Sequence, residues 1–293
     1  MRTHSRIALA LTLTLVTGCA RGGNESRTVI QNKGSDTLVN VAQAWAEAYR
    51  EVNPNTAVAV TGGGSGTGIA ALINGTVDIA NASRQMKPEE IELAKEHGHN
   101  PVEFIVGYDA LAIFLNPANP ITEITIAQLR DIYGESGSAE KWTDLGITVP
   151  GCKDQEIVRV SRQNNSGTYA YFQEDVLGEG NDFRLGSRDM HGSKDVVDLV
   201  ANTACAIGYS GLAYATEEVH MPCVSKDGGE CVAPSTETAV DGTYPIARPL
   251  FMYTENTPQG EVKQYMDWIL SDAGQCLIQE KGYAPARPVS CGN

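Results

Sequence analysis

The sequence predicts an α/β protein of two domains, and three observations lead there. Apolar, strand-like runs alternate with segments of helical period, turns rich in Ser, Thr and Gly stand where strands give way to helices, and the length fits two domains of ordinary size. The chain has 293 residues, of which 42% are hydrophobic and 20% charged, a balance that suits compact cores rather than disorder.

Taken in order, the first segment is a leader. Arg2 and Arg6 precede an apolar run over 7–16 that ends at Thr17-Gly18-Cys19. That is the secretory order, and the run is too short to span a bilayer. Residues 1–18 are expected to be a signal peptide, Cys19 a lipidation site in a lipobox-like context, and 19–28 a tether. The alternative is a plain secretory signal with Cys19 incidental.

Residues 29–32 are a strand candidate, followed by Gly34-Ser35-Asp36-Thr37 and then Leu38, Val41 or Ala42, Trp45, Ala48 or Tyr49, and Val52 at helical spacing. Pro54 stops that helix at Asn53. Residues 57–61 form the next strand, 62–68 a glycine loop, and 69–74 a short helix closed by Gly75. A third strand over 77–80 ends near Ser83-Arg84, and Pro88-Glu89-Glu90 opens a helix with acids at its positive end. Two apolar strands, 102–106 and 110–115, are separated by Gly107-Tyr108-Asp109, and the chain first crosses between domains just before the loop 116–120.

The alternation then repeats. Thr125 caps a helix over 126–133, 157–161 is a strand, 162–165 a loop, and Ser166-Gly167-Thr168 begins a helix. Ser193 caps a helix over 195–201, 206–210 is a strand, and 222–243 is loop or hairpin. An apolar strand over 246–253 returns to the first domain, where Thr257-Pro258 opens a closing helix carrying Val262, Tyr265, Met266 and Ile269. One domain is thus expected from 29–112 with 246–293, the other from 113–245.

Export changes how the cysteines are read. Besides Cys19 there are Cys152, Cys205, Cys223, Cys231, Cys276 and Cys291. Six cysteines outside the cytosol suggest three disulfides, with Cys223–Cys231 and Cys276–Cys291 as short-loop choices and Cys152–Cys205 left over, although about 15 connectivities are open. The five histidines are scattered without metal-ligand spacing, so no metal and no cofactor is expected.

The formal charge is −14, and loss of Arg2 and Arg6 with the leader takes it to −16. An acidic surface argues against nucleic acid. It does not argue against a small anion, because donors inside a cleft decide affinity there.

The three turns are the chemical signal. Gly34-Ser35-Asp36-Thr37, Gly64-Ser65-Gly66-Thr67-Gly68 and Ser166-Gly167-Thr168 each offer helix-start N–H groups and short hydroxyls, a set that suits one shared tetrahedral anion. The glycine loop is not a P-loop, since Gly-Lys-Ser/Thr is missing, and not a nucleophile elbow, since Thr67 stands where Gly is needed. Arg162, four residues before Ser166, adds a bidentate cation.

Assembled, these residues closely resemble the substrate-binding lipoproteins of bacterial phosphate-specific ABC transporters over 29 to about 290. The likeness also rests on Asp78-Ile79-Ala80-Asn81-Ala82-Ser83-Arg84, Lys141-Trp142-Thr143-Asp144-Leu145-Gly146 and Ala206-Ile207-Gly208-Tyr209-Ser210. The resemblance implies a periplasmic-binding-protein fold of the second type, with two crossing strands and phosphate held between the domains. It also implies delivery to permease subunits in the membrane by a monomer without catalytic residues. It assigns Ser35, Thr37 and Ser65 to one side of the ligand and Arg162, Ser166, Gly167 and Thr168 to the other. Ser83 precedes a position that is an aspartate in many members; here it is Arg84, as in the Ser-Arg subgroup, and Asp36 is expected to accept the phosphate proton instead. Rival expectations are another oxyanion, such as sulfate, molybdate, tungstate or phosphonate; an exported phosphatase using Ser65 or Ser166; and a sensor or adhesin built on the same fold.

Overall fold

The computed structural model describes residues 27–226 and 228–292. The leader, Cys19 and nearly all of the tether lie outside the described residues. The strands are β1 (Thr28–Gly34), β2 (Thr56–Thr61), β3 (Ile79–Ala82), β4 (Val102–Leu115), β5 (Glu123–Thr125), β6 (Val158–Arg162), β7 (Arg188–Met190), β8 (Ala206–Gly211), β9 (Cys223–Ser225), β10 (Ala247–Thr254) and β11 (Ala284–Pro285). The helices are α1 (Val39–Val52), α2 (Ser65–Ile73), α3 (Pro88–Glu96), α4 (Ile126–Tyr133), α5 (Gly167–Phe172), α6 (Ser193–Ala201), α7 (Thr236–Val240), α8 (Gly260–Ile269) and α9 (Asp272–Glu280).

The strands run β2-β1-β3-β10-β4-β8-β6-β7, with β11 beside β4 and a separate β5-β9 pair. The path divides at β4. Its first part, to Ala110, pairs antiparallel with β10, and its second part, from Leu111, pairs with β8. Each half joins parallel strands to helices, as βαβ units require. We call these halves the first and second lobes; β4 and β10 pass between them, which gives the two-domain α/β binding-protein architecture.

Each lobe has its own core. Val41, Trp45 and Tyr49 lie along one face of α1 and bury against Tyr265 and Met266 of α8, and the Trp45 indole donates to the Gly274 carbonyl at 2.7 Å. In the second lobe Tyr133, Trp142, Phe172 and Tyr209 pack together, Phe172 stacking on Tyr209 at 3.9 Å between centroids. Thr125 caps α4 by accepting from Gln128 N, as its spacing implies.

Several expectations need correction. Residues 102–115 are one strand, not two. Gly107 is there because a Cβ would sit 2.4 Å from Ile278 Cδ1 and 2.7 Å from the Ala284 carbonyl, so β11 and α9 approach too closely for a side chain. Residues 222–243 contain β9, which pairs in parallel with β5, and α7. The helix placed at 69–74 starts earlier, at Ser65, and the closing helix starts at Gly260 rather than at Thr257-Pro258. Ser193 does not cap α6 but is its first residue, with Gly192 at the cap.

Cysteines 152 and 205, 223 and 231, and 276 and 291 form disulfides. The first two lie in the second lobe, the third in the first. Among the described residues, no helix is long and apolar enough to cross a membrane.

Candidate anion site

The three hydroxyl turns converge where the lobes meet. β1 ends at Gly34, whose φ of +145° and a Cβ position 2.1 Å from the Asn81 carbonyl leave room only for glycine. The chain then turns through Ser35, Asp36 and Thr37 into α1. Ser35 Oγ donates to Ser83 Oγ at 3.0 Å, and Ser83 N–H donates to Ser65 Oγ at 3.0 Å. Ser35, Thr37, Ser65 and Ser83 are all buried. These four belong to the first lobe.

The second lobe brings α5 against them. Thr37 Oγ1 and Thr168 Oγ1 are 3.0 Å apart. A Cβ on Gly167 would sit 2.3 Å from Ser65 Oγ and 2.7 Å from Ser83 Oγ, so any side chain there would hold the lobes apart. Ser166 is the N-cap of α5 and accepts from the N–H groups of Thr168 and Tyr169. Neither Ser65 Oγ nor Ser166 Oγ is hydrogen-bonded to a histidine among the described residues.

Arg162, at the end of β6, is 1% exposed, yet its guanidinium is well matched: Nη2 donates to Asp36 Oδ2 at 3.1 Å and to the His191 carbonyl at 2.7 Å, and Nη1 donates to Ser193 Oγ at 3.1 Å. Burial pulls its pKa down and the Asp36 carboxylate pushes it back up, leaving a buried cation with a partner from the opposite lobe. Asp36 Oδ1 meanwhile accepts from Gly63 N–H at 2.8 Å. Asp36 is therefore a clasp between the first two turns and Arg162.

Arg84 is placed differently. Its guanidinium forms a bidentate pair with Glu90 at 2.7 and 2.8 Å and donates to the Gln85 carbonyl. Burial pushes the Glu90 pKa up, but the Arg84 hydrogen bond and charge outweigh it and hold it low. Arg84 lines the edge of the cluster without bonding to its hydroxyls. Beyond Ser83 a cavity of about 280 Å³ is walled by Arg84, Tyr171, Glu174 and Asp175, whose carboxylates suit an anion poorly.

Six residues of this site were missed by sequence reasoning. Asn165 Nδ2 donates across the cleft to the Gly63 carbonyl and Thr67 Oγ1, and its own carbonyl accepts from Gly66 N–H. Ser193 receives Arg162. Arg248 and Asp109 face each other in register on β10 and β4, with Nη2 3.0 Å from Asp109 Oδ2. Both are 2% exposed. The signal was present as a cation and an anion, each beside a run of apolar strand residues. Tyr214 and Tyr283 donate to the carbonyls of Asp36 and Thr37 and so fix the first turn.

Comparison with known proteins gives the family. Residues 20–273 match the model of the PBP superfamily domain. The chain is 34% identical over 268 residues to the phosphate-binding protein PstS of Pseudomonas aeruginosa, covering 87% of this chain and 82% of that one. It is also 34% identical over 270 residues to protein SphX of Synechococcus elongatus, covering 88% and 78%. Among solved structures it resembles a putative phosphate ABC transporter substrate-binding protein from Clostridium perfringens with bound phosphate, at a TM-score of 0.77 and 29% identity, covering 89% of this chain and all of that one. The chain belongs to the PBP superfamily, within its PstS family of phosphate-binding proteins.

Proposed function

We propose that the protein binds inorganic phosphate outside the cytoplasm and delivers it to an ABC permease. The observation that carries this reading is the buried cluster itself. Hydroxyls of Ser35, Thr37, Ser65, Ser83 and Thr168 and the N-terminus of α5 gather at a boundary between two lobes, where Arg162 pairs with Asp36 of the first turn. A dianion taken from water needs its lost hydrogen bonds replaced, and a charge-assisted bond contributes about 1.5–3 kcal/mol. Micromolar affinity needs only about 8 kcal/mol net, so a modest surplus over desolvation suffices. Ligand bridging the lobes favours the closed form, which is what a permease would recognise.

In this reading Ser35, Thr37, Ser65 and Ser83 hold the anion from one side and Arg162, Ser166, Gly167 and Thr168 from the other. Asp36, already turned toward Arg162, accepts the phosphate O–H that sulfate lacks. Arg84 acts from the rim through its Glu90 pair. The protein is a monomer that needs no cofactor and carries out no reaction. Residues 1–18 are the signal peptide and 19–28 the tether from a lipidated Cys19, a reading supported by Arg2 and Arg6 before the apolar run that ends at Thr17-Gly18-Cys19. The domains are 29–112 with 246–293 and 113–245, a division two residues past the point in β4 where pairing passes from β10 to β8. The test is competition binding of the purified chain against phosphate, arsenate, sulfate and molybdate. Phosphate and arsenate are expected to displace one another while sulfate and molybdate do not, and preference for either of the latter would overturn the assignment.

A further inference from the structure

We propose that Arg248 is a positioning residue that fixes the proton order of the Thr37–Thr168 hydroxyl pair so that a hydroxyl proton is kept for the ligand; this rests on the phosphate reading above. Arg248 sits where β10 crosses between the lobes. Its Nη2 lies 3.0 Å from Thr168 Oγ1 and 3.4 Å from Thr37 Oγ1, so one guanidinium nitrogen reaches a hydroxyl from each lobe. Nη1 donates to the Ser83 carbonyl at 3.1 Å, and Nε and Nη2 lie 3.3 and 3.0 Å from Asp109 Oδ2. The Tyr171 ring covers the guanidinium at 5.4 Å.

Arginine carries five N–H donors and no acceptor, whereas a threonine hydroxyl has one proton and two acceptor lone pairs. A lone pair occupied by Arg248 turns the hydroxyl proton away from the guanidinium. The two hydroxyls also lie 3.0 Å apart, so one donates to the other and the pair keeps one proton free at the seam where the lobes meet. That proton suits a ligand oxygen that bears no proton and resists one that bears an O–H.

The fixed charge also needs a reason to be there. A buried ion pair is a weak stabilising device compared with a packed apolar pair of similar volume. Arg248 and Asp109 stand among buried apolar residues of largely apolar strands, joined by the sheet and not by closure of the cleft. The guanidinium is therefore a constant feature of the site.

The titratable and charged groups facing Arg248 are Asp109 from β4, Tyr171 from α5, Asp175 beyond it, Arg162 from β6 and Tyr283 before β11. Both tyrosines are pushed above their ordinary range by burial and stay neutral. Burial pushes both carboxyls up, with Arg248 opposing it.

The test compares the intact chain with the double variant Arg248→Met/Asp109→Leu, which leaves no buried charge unpaired. Phosphate affinity is measured by calorimetry at about pH 5.5 and about pH 8.5, on either side of the loss of the second phosphate proton. Thermal unfolding is recorded alongside. The expected result is an unfolding midpoint near that of the parent and a loss of about tenfold or more in affinity at the higher pH. The loss at the lower pH should be smaller, because freed hydroxyls can turn and accept from the dihydrogen form. Equal losses at both pH values, or none, would overturn the proposal. If the double variant does not fold, Arg248→Lys decides, since an unchanged ratio of the two affinities there overturns it. If the parent binds sulfate or molybdate instead of phosphate, the phosphate reading fails alone. The Arg248 proposal then predicts a tenfold loss for those proton-free anions, and no loss sinks it. If the parent binds none of them, both fall together.

Discussion

Two buried arginines stand about the same hydroxyl cluster and are held in opposite ways. Arg248 and Asp109 are neighbours across adjacent strands, in register, so their pair is as permanent as the sheet. Arg162 and Asp36 come from loop ends of different lobes and meet only where those lobes touch. The first arrangement makes a charge part of the fold. The second makes a charge part of a movement, because separating the lobes is what would break it. One molecule thus uses the same chemical pair once as scaffold and once as latch.

The sharpest way to break that contrast is to remove one partner of the scaffold. Asp109→Asn leaves Arg248 buried without its carboxylate and should lower unfolding free energy by about 3–5 kcal/mol, read by denaturant titration. A loss under about 1 kcal/mol would mean the pair is not structural. Next comes the latch. Arg162→Ala should weaken phosphate binding at least about tenfold in calorimetry, since it removes a buried charge-assisted donor, and unchanged affinity would remove Arg162 from the ligand site.

Asp36→Asn tests selectivity more than strength. Phosphate affinity should fall several-fold while sulfate begins to compete. Sulfate still excluded, with phosphate bound normally, would move the proton acceptor elsewhere. The smallest effect belongs to Arg84→Ala. Phosphate affinity should change much less than for Arg162→Ala, and stability by less than about 1 kcal/mol. Its sign on pH is definite. Glu90 has a lowered pKa in the fold, so its contribution is present above about 4.5 and is lost as pH falls through the folded value. The variant should therefore show a flatter loss of stability in acid.

Much of the fold was legible because its causes are local. The spacing of Val41, Trp45 and Tyr49, the Thr125 cap and the Pro88 start each depend on residues within a turn or two. The single strand over 102–115 was not legible. Gly107 and Asp109 look like a turn in sequence, yet one is shaped by β11 and α9 and the other by a strand 139 residues away. The site divides likewise. Ser35, Thr37, Ser65, Gly167 and Thr168 announce themselves through turn composition. Ser193, Asn165 and Arg248 act through partners distant in sequence, and Ser193 resembled an ordinary cap until Arg162 was seen to donate to it. Arg84 stood out in sequence by replacing an aspartate, but its guanidinium is held by Glu90, only six residues on.

The placement of the disulfides has a consequence for speed. Cys152–Cys205 closes a loop of 53 residues and Cys223–Cys231 one of 8, both within the second lobe, while Cys276–Cys291 ties down the end of the first. Every covalent staple lies within one lobe. Oxidation therefore constrains the unfolded chain of each lobe while adding no link between them. The rate at which cargo is released is left to bonds that exchange in water.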